Sequence, residues 1–186
     1  MPARMAKGFL GSDGNCIIIG RIMRSHFAAA GAVLAALIAL AAARVIAGQQ
    51  DAQGFVRIEP QNIKWTPVEG GLGVQTANLD GDPAKPGLYV MRIKFPPGVM
   101  SRPHTHSEDR HAIVISGTWW TGTGTEFRPD QTVPVKAGGY MKHPAGAAHF
   151  DGAKDEEVIL QIVGRGPVDS PRIRPQEGGY GYSLKR

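Results

Sequence analysis

The sequence predicts an all-β fold, and two features of the residues after Phe55 support that prediction. First, no window shows sustained helical periodicity, and short runs rich in Val, Ile, Tyr, Trp and Thr are separated by Gly, Pro and Asp clusters. Second, these runs recur about every ten residues, as they do in β-sandwiches and barrels. The chain also contains 25 glycines and 14 prolines, which exclude a long helical bundle.

The clearest predicted strand covers residues 87–95. Every second residue from Tyr89 to Phe95 is apolar, whereas Arg92 and Lys94 lie on the opposite face, so the strand has one apolar wall. Further strands are predicted at residues 111–116, 118–125, 132–136, 139–143 and 157–163.

Two of these strands carry more detailed predictions. Residues 111–116 are apolar on both faces, which predicts a strand inside a two-layer structure. In the next strand, alternation sends one of Trp119 and Trp120 into the core and the other outward. The tail at residues 166–186 is rich in Gly, Pro and charge, and it is predicted to be a solvated coil on the surface.

Residues 1–47 are predicted to be a leader with a signal peptide. An uninterrupted apolar run at residues 27–43 follows basic residues, and small residues favour cleavage after Ala47, with Ala43 as the second choice. The run is shorter than the roughly 20 apolar residues that a spanning helix needs. The alternative is an uncleaved membrane anchor formed by the same run.

The start of the leader is untypical, because a signal peptide normally begins just before its basic segment. Met23 is the better start, so residues 1–22 are interpreted as a misassigned beginning. Cleavage predicts a periplasmic or secreted protein without further membrane contact.

Charge and cysteine content exclude several classes of protein. The leader holds five of the 21 Lys and Arg residues but one of the 16 Asp and Glu residues, so most of the net charge of +5 belongs to it. The nearly neutral remainder has no electrostatic footprint for nucleic acid. The single cysteine, Cys16, lies in the leader, so the predicted domain at residues 48–186 has neither disulfides nor thiol chemistry.

Histidines are concentrated in one part of the domain. Five of the six lie within 46 residues: His104, His106, His111, His143 and His149. On an extended backbone, residues i and i+2 project from the same face about 6.5–7 Å apart. His104 and His106 are therefore suited to occupy two adjacent positions in the coordination sphere of one metal ion. Imidazole ligands suit Zn, Cu, Fe and Ni.

The residues around these histidines resemble the two motifs of the cupin superfamily. Gly98, five residues, His104-x-His106, three residues, Arg110, six residues and Gly117 follow the first motif in spacing. Gly138, five residues, Pro144-x-Gly146, two residues and His149 match the second motif.

The resemblance covers residues 85–165 and implies a double-stranded β-helix, or jelly-roll barrel. It implies one divalent metal ion bound by His104, His106 and His149, with Fe(II) expected first and Zn, Ni, Mn or Cu as alternatives. It also implies that two copies pair as a homodimer.

Arg110 departs from the cupin pattern, which has a glutamate there as the fourth metal ligand. A guanidinium cannot bind a metal ion, and a cation about 6 Å from a divalent ion would cost about 5 kcal/mol at an effective dielectric constant of about 20. Arg110 must turn away, pair with Glu108 or Asp109, or meet an anionic ligand. A retained three-histidine site is favoured over a site that has lost its metal.

Four further residues receive roles. Tyr89 and Gln161 are predicted, with Arg110, to contact substrate, because Tyr89 belongs to the apolar wall and Gln161 interrupts an apolar strand. His111 is predicted to pack between the sheets or at an edge, although a register slip would let it act as a ligand. His143 is predicted to point away from the metal by alternation.

These residues favour an exported metalloenzyme that oxidises a small anionic or chelating molecule in the manner of a non-haem dioxygenase. The first alternative is a sensing module that binds a small ligand or metal without turnover. The second is an isomerase or decarboxylase that uses the metal as a Lewis acid.

Overall fold

The structure, a computed structural model, describes residues 50–183. The predictions for the signal peptide, the cleavage site, the alternative start and Cys16 lie outside these residues. The chain divides into two units, Met1–Arg57 and Ile58–Arg186. In the first, a β-bridge joins Gln50 to Val56. The helical segments between residues 50 and 183 are all too short to span a lipid bilayer.

The second unit is built from β-strands and three short 3-10 turns. The strands are β1 (Thr66–Pro67), β2 (Gln75–Asp80), β3 (Gly87–Phe95), β4 (Val99–Ser101), β5 (Arg110–Ser116), β6 (Thr118–Thr123), β7 (Val133–Lys136), β8 (Tyr140–His143), β9 (His149–Gly152), β10 (Val158–Gly166) and β11 (Tyr180–Tyr182). The 3-10 turns are Pro60–Asn62, Pro129–Gln131 and Pro175–Glu177.

The strands form two sheets. One has six strands in the order β1-β2-β3-β10-β5-β8, and the other has five in the order β11-β4-β9-β6-β7. The named pairings are antiparallel. This confirms the all-β prediction and the jelly-roll architecture that the motifs implied, with the six predicted strands present as β3, β5, β6, β7, β8 and β10.

The core lies between the sheets, and alternation accounts for most of it. Tyr89 and Phe95 of β3 are buried, as the apolar wall of that strand predicts. Trp119 is fully buried, whereas Trp120 is partly exposed beneath the Lys154 ammonium, 3.9 Å from the ring centroid. The prediction of one inward and one outward tryptophan is confirmed.

Gly117 makes the tight turn between β5 and β6. Its φ is 75°, and a Cβ atom there would lie 2.3 Å from the carbonyl oxygen of Glu157. Both the conformation and the close approach of the backbone require glycine.

Strand β5 lies inside the two-sheet structure, as predicted, although only one of its two apolar faces is buried. Ala112 and Val114 face the core, but Ile113 and Ile115 on the other face are 40% and 42% exposed. The six-stranded sheet is covered on its inner face only, so the second apolar row of β5 lies at the surface.

The structure corrects the predicted coil after Gly166. Strand β11 pairs with β4 and extends the five-stranded sheet, with Gly181 opposite Met100. Tyr180 packs against Phe95, with ring centroids 6.4 Å apart. The tail is therefore part of the barrel wall. Its short strand forms hydrogen bonds with backbone groups at the edge of β4 that would otherwise be unpaired.

Candidate metal centre

Three of the predicted ligands meet inside the barrel. His104 and His149 form an isolated antiparallel bridge, and His106 follows two residues after His104 on the same face. The ring centroids are 4.4 Å apart for His104 and His149, 4.9 Å for His104 and His106, and 5.0 Å for His106 and His149. One nitrogen of each ring lies within 4.8 Å of the others, so the three could hold one metal ion.

The outer nitrogen of each ring is held by a hydrogen bond. His104 Nδ1 lies 2.8 Å from the carbonyl oxygen of Arg102, and His149 Nδ1 lies 2.9 Å from that of Ala147. Because a carbonyl only accepts, Nδ1 carries the proton in both rings and Nε2 keeps a lone pair. His106 Nδ1 lies 2.8 Å from Ser170 Oγ, which orients this ring in the same way.

Burial favours the neutral form of His104 and His106. It lowers the pKa of His104 to about 3, with a further contribution from His149. Burial and then the Arg110 guanidinium hold the pKa of His106 far below its usual value. Neutral imidazoles are the form that binds metal ions, so the donor set fits a divalent cation.

Arg110 points into the barrel, as a residue of β5 that faces the same side as Ala112 and Val114. Its Nη1 lies 3.0 Å from His106 Nε2, and its buried Nε has no hydrogen-bond partner among residues 50–183. Asp109 instead accepts hydrogen bonds from Lys142, at 2.6 Å, and from the Ala145 amide, at 2.8 Å. Of the three alternatives for Arg110, turning away and pairing with Glu108 or Asp109 do not occur among the described residues, and contact with an anionic ligand stays a prediction.

Metal binding and Arg110 compete for one nitrogen. A divalent ion at His106 Nε2 requires the guanidinium to leave its position 3.0 Å away, because two cations repel and both need the lone pair. The further contacts of this guanidinium are a weak one from Nη2 to Met91 Sδ at 3.9 Å and an interaction with Tyr89. No carboxylate of residues 50–183 forms an ion pair that would hold the Arg110 guanidinium in place.

A cavity of about 310 Å³ opens beside the histidines. Apolar side chains form most of its wall, among them Met91, Phe95 and Leu160 of the six-stranded sheet. Tyr89 also lines it, and its buried hydroxyl has no hydrogen-bond partner within residues 50–183. Tyr89 and Arg110 thus lie where a ligand would contact them, although their substrate role stays a prediction.

Gln161 lies elsewhere, so the predicted contact with substrate in this cavity is wrong. In β10 the neighbours Leu160 and Ile162 face the cavity, and alternation places Gln161 on the outer face. There its Oε1 accepts a hydrogen bond from Arg92 Nε at 3.2 Å. The polar residue interrupts the apolar run because it belongs to the outer face.

His111 does not contribute a ligand. It lies on the outer face of β5, beside edge strand β8, and is exposed. Its Nδ1 is 2.8 Å from Tyr140 Oη, and the two rings stack. Packing between the sheets is therefore wrong, whereas a position beside the sheet edge is correct.

His143 faces the cluster, which corrects the prediction that it points away. Its ring stacks on His149, with centroids 3.8 Å apart, and neither ring nitrogen has a partner in the described part of the chain. Burial lowers the pKa of His143 to about 2. Local alternation does not give the correct face, because His143 is the last residue of β8, is paired opposite Arg110 and shares its inward face.

Sequence reasoning missed Asp151. It is 5% exposed, and its Oδ2 lies 3.8 Å from His149 Nε2. Burial raises the pKa of this carboxyl. With His143 and His149, Asp151 forms a second group whose ligand atoms lie within 4.8 Å of one another. Its position two residues after His149 was the available signal, since both side chains of β9 face inward.

The C-terminal segment supplies site residues that composition did not reveal. Ser170 contacts His106, and Ser170, Arg172 and Tyr180 line the cavity. The backbone of Arg172 bridges to His104. The predicted solvated end is therefore wrong for Arg172, because its strand-like pairing is set by the barrel and not by local sequence.

Comparisons with known proteins address the fold. Residues 53–169 match the sequence profile of a family described as the ChrR Cupin-like domain. No curated protein matches the chain. The polyketide cyclase RemF from Streptomyces resistomycificus is 21% identical, with 60% of this chain and 82% of that chain covered and a TM-score of 0.50.

A second solved structure, the DMSP lyase DddQ from Ruegeria pomeroyi, is 16% identical with a TM-score of 0.50. The match covers 61% of this chain and 62% of that chain. At these identities both likenesses establish the shared fold and leave the chemistry to the residues of the site.

Proposed function

The chain belongs to the ChrR cupin-like family, in agreement with its two cupin motifs. On that premise we propose that it is a metal-dependent enzyme that acts on small organic anions. The proposed reaction is an oxidation of the dioxygenase type. One observation supports this most strongly. Three buried imidazoles converge beside a cavity of about 310 Å³ that the guanidinium of Arg110 also lines.

His104, His106 and His149 would hold the metal ion. Three neutral ligands leave the charge of a divalent ion uncompensated, and imidazole suits iron as well as Zn, Ni and Cu. Iron(II) bound there would supply the one-electron and O₂ chemistry that the proposed oxidation needs. Manganese remains the further alternative.

The chain's own residues bind and orient the substrate. Arg110, displaced from His106, would donate charge-assisted hydrogen bonds to a carboxylate or enolate oxygen. The Tyr89 hydroxyl would donate to a second oxygen, and the apolar wall would exclude water. These contacts favour an anion that also chelates.

A second candidate function is a binding module without turnover. The close contact of Arg110 Nη1 with His106 Nε2, at 3.0 Å, favours it, because a cation already uses the lone pair that a metal would take. In that case Arg110 fixes an anion and metal is unnecessary.

The discriminating experiment loads the protein anaerobically with iron(II) and then measures O₂ uptake with dicarbonyl, phenolic and thiol compounds. Metal-dependent uptake that His106→Ala abolishes and His111→Ala preserves supports the proposal, since His111 is exposed on the outer face. Turnover without O₂ would instead identify Lewis-acid chemistry, such as isomerisation or decarboxylation. Absence of turnover, with stabilisation of the metal-free protein by a small acid, would identify the binding module.

Location and assembly are part of the same proposal. Export to the periplasm follows from the leader, and N-terminal sequencing of the protein from that compartment tests cleavage after Ala47 against retention of residues 27–43. A homodimer is expected, and its mass in solution tests it.

A further inference from the structure

The segment after β10 runs antiparallel to the segment that carries two of the histidines. Three backbone hydrogen bonds of 3.0–3.2 Å join residues 169–173 to residues 103–107. Arg172 is bridged directly to His104. Because directly opposed residues of an antiparallel pair project to the same face, Arg172 enters the cavity beside His104, and Ser170 does so beside His106.

This wall of the cavity lies beyond the residues that match the family. The match ends at residue 169, whereas Ser170, Arg172 and Tyr180 all line the cavity. The matched range therefore includes the histidines and Arg110 but not this part of the wall. A segment outside the matched range is a suitable place for substrate selection.

Arg172 carries a charge without a carboxylate partner. No Asp or Glu of residues 50–183 lies within salt-bridge distance of it, and its guanidinium lies over the Tyr180 ring, 5.3 Å from the centroid. Arg174, two residues later, forms surface ion pairs with Glu126 and Glu177. Arg172 also interacts electrostatically with Tyr180 and with the buried Asp151 carboxyl. Because neither interaction is a close ion pair, the Arg172 guanidinium can still bind an external anion.

The charged side chains that line the cavity also favour binding of an anion. Arg110 and Arg172 both line it, and Asp151 is the one carboxylate among its lining residues. A metal ion at the histidines would add two further positive charges. Even with Asp151 ionised, the metal ion and the two guanidinium groups leave an excess of positive charge, and a dianionic substrate would compensate more of it than a monoanion.

We propose that Arg172 is a specificity-determining residue that binds a second acidic group of the substrate. This inference rests on the proposed function, since the histidines and Arg110 hold the reacting, chelating end. The substrate class is then a small organic diacid, with one acidic end at the metal and Arg110 and the other carboxylate on Arg172.

The test compares two keto acids of equal length, 2-oxoglutarate and 2-oxopentanoate, which differ in the terminal carboxylate. Their binding to the zinc-loaded protein is measured by calorimetry, so that no turnover is needed. A charge-assisted pair predicts that the wild type prefers 2-oxoglutarate about ten- to hundred-fold. Arg172→Gln should remove this preference while binding of 2-oxopentanoate and the zinc stoichiometry are unchanged.

Arg165→Gln is the matched control, because Arg165 is exposed on β10 and its loss removes one positive charge away from the cavity. It should keep the preference, and Arg172→Lys should keep part of it. Equal affinities of the wild type for both acids, or equal weakening of both by Arg172→Gln, would overturn the inference.

The same titration of metal-free protein separates this inference from the proposed function. A preference for the diacid that depends on Arg172 supports the inference even where iron loading yields no O₂ uptake. Metal-dependent O₂ uptake without a preference for 2-oxoglutarate would support the proposed enzymatic function and contradict the role of Arg172.

Discussion

His104 and His149 face each other as a backbone pair, in which the amide N–H of each donates to the carbonyl oxygen of the other at 3.0 Å. Their rings consequently lie with centroids 4.4 Å apart, although 44 residues separate them in the sequence. Because the backbone sets this approach, a side-chain substitution removes a ligand without removing the pairing that positions it.

Ser170→Ala should weaken metal binding. The Ser170 hydroxyl lies 2.8 Å from His106 Nδ1 and orients the ring, and loss of such an outer partner typically lowers metal affinity about 10- to 100-fold. Competition with a chromophoric zinc chelator measures the change. Ser170→Thr, which keeps a hydroxyl, should retain affinity, and an unchanged Kd in Ser170→Ala would show that the contact does not orient His106.

The metal-free protein should lose stability as the pH falls below about 6.5. The pKa values of His104 and His143 are lowered to about 3 and about 2, so between those values and the usual 6.5 the unfolded chain binds protons that the folded chain does not. The free energy of unfolding should therefore fall by about 2 kcal/mol per histidine between about pH 7 and pH 5.

Urea unfolding at a series of pH values checks this pH dependence. His143→Gln should make the pH profile shallower, because it removes one of the groups concerned. His111→Gln, at the exposed outer face, is the control for general effects of losing a histidine. A profile that is flat from pH 7 to pH 5 in the metal-free wild type would contradict the prediction.

The two adjacent tryptophans should differ in their contribution to stability. Trp119 is fully buried, so Trp119→Ala should cost about 3–5 kcal/mol. Trp120 is partly exposed and contacts the Lys154 ammonium, so its replacement by alanine should cost about 1 kcal/mol. Chemical denaturation measures both, and equal losses would mean that the assigned inward and outward faces are incorrect.

Strand positions and the turn at Gly117 were predictable because they depend on local patterns. Alternation along residues 87–95 predicted which side of β3 forms the cavity wall, and spacing predicted that the three ligand histidines belong together. Gly117 likewise occupies the turn that its motif implies.

Residues whose position depends on distant pairing were not predictable. Arg172 enters the cavity because its segment pairs with that of His104, and composition alone suggested a solvated tail. Gln161 was predicted to contact substrate but lies on the outer face. There its side-chain oxygen accepts a hydrogen bond from Arg92, which belongs to a different strand. For Arg172 the neighbouring segment decides the face, whereas for Gln161 alternation with Leu160 and Ile162 gives the outer face and the sequence does not reveal the partner.

Metal content per chain tests the central claim most directly. After loading and removal of free ions, elemental analysis should find about one divalent metal ion per wild-type chain, and iron when the protein is isolated from its own compartment. His149→Ala should contain almost none while keeping its fold, and His111→Ala should match the wild type. A wild-type protein that retains no ion, or a His149→Ala variant that retains as much as the wild type, would contradict a metal centre at His104, His106 and His149.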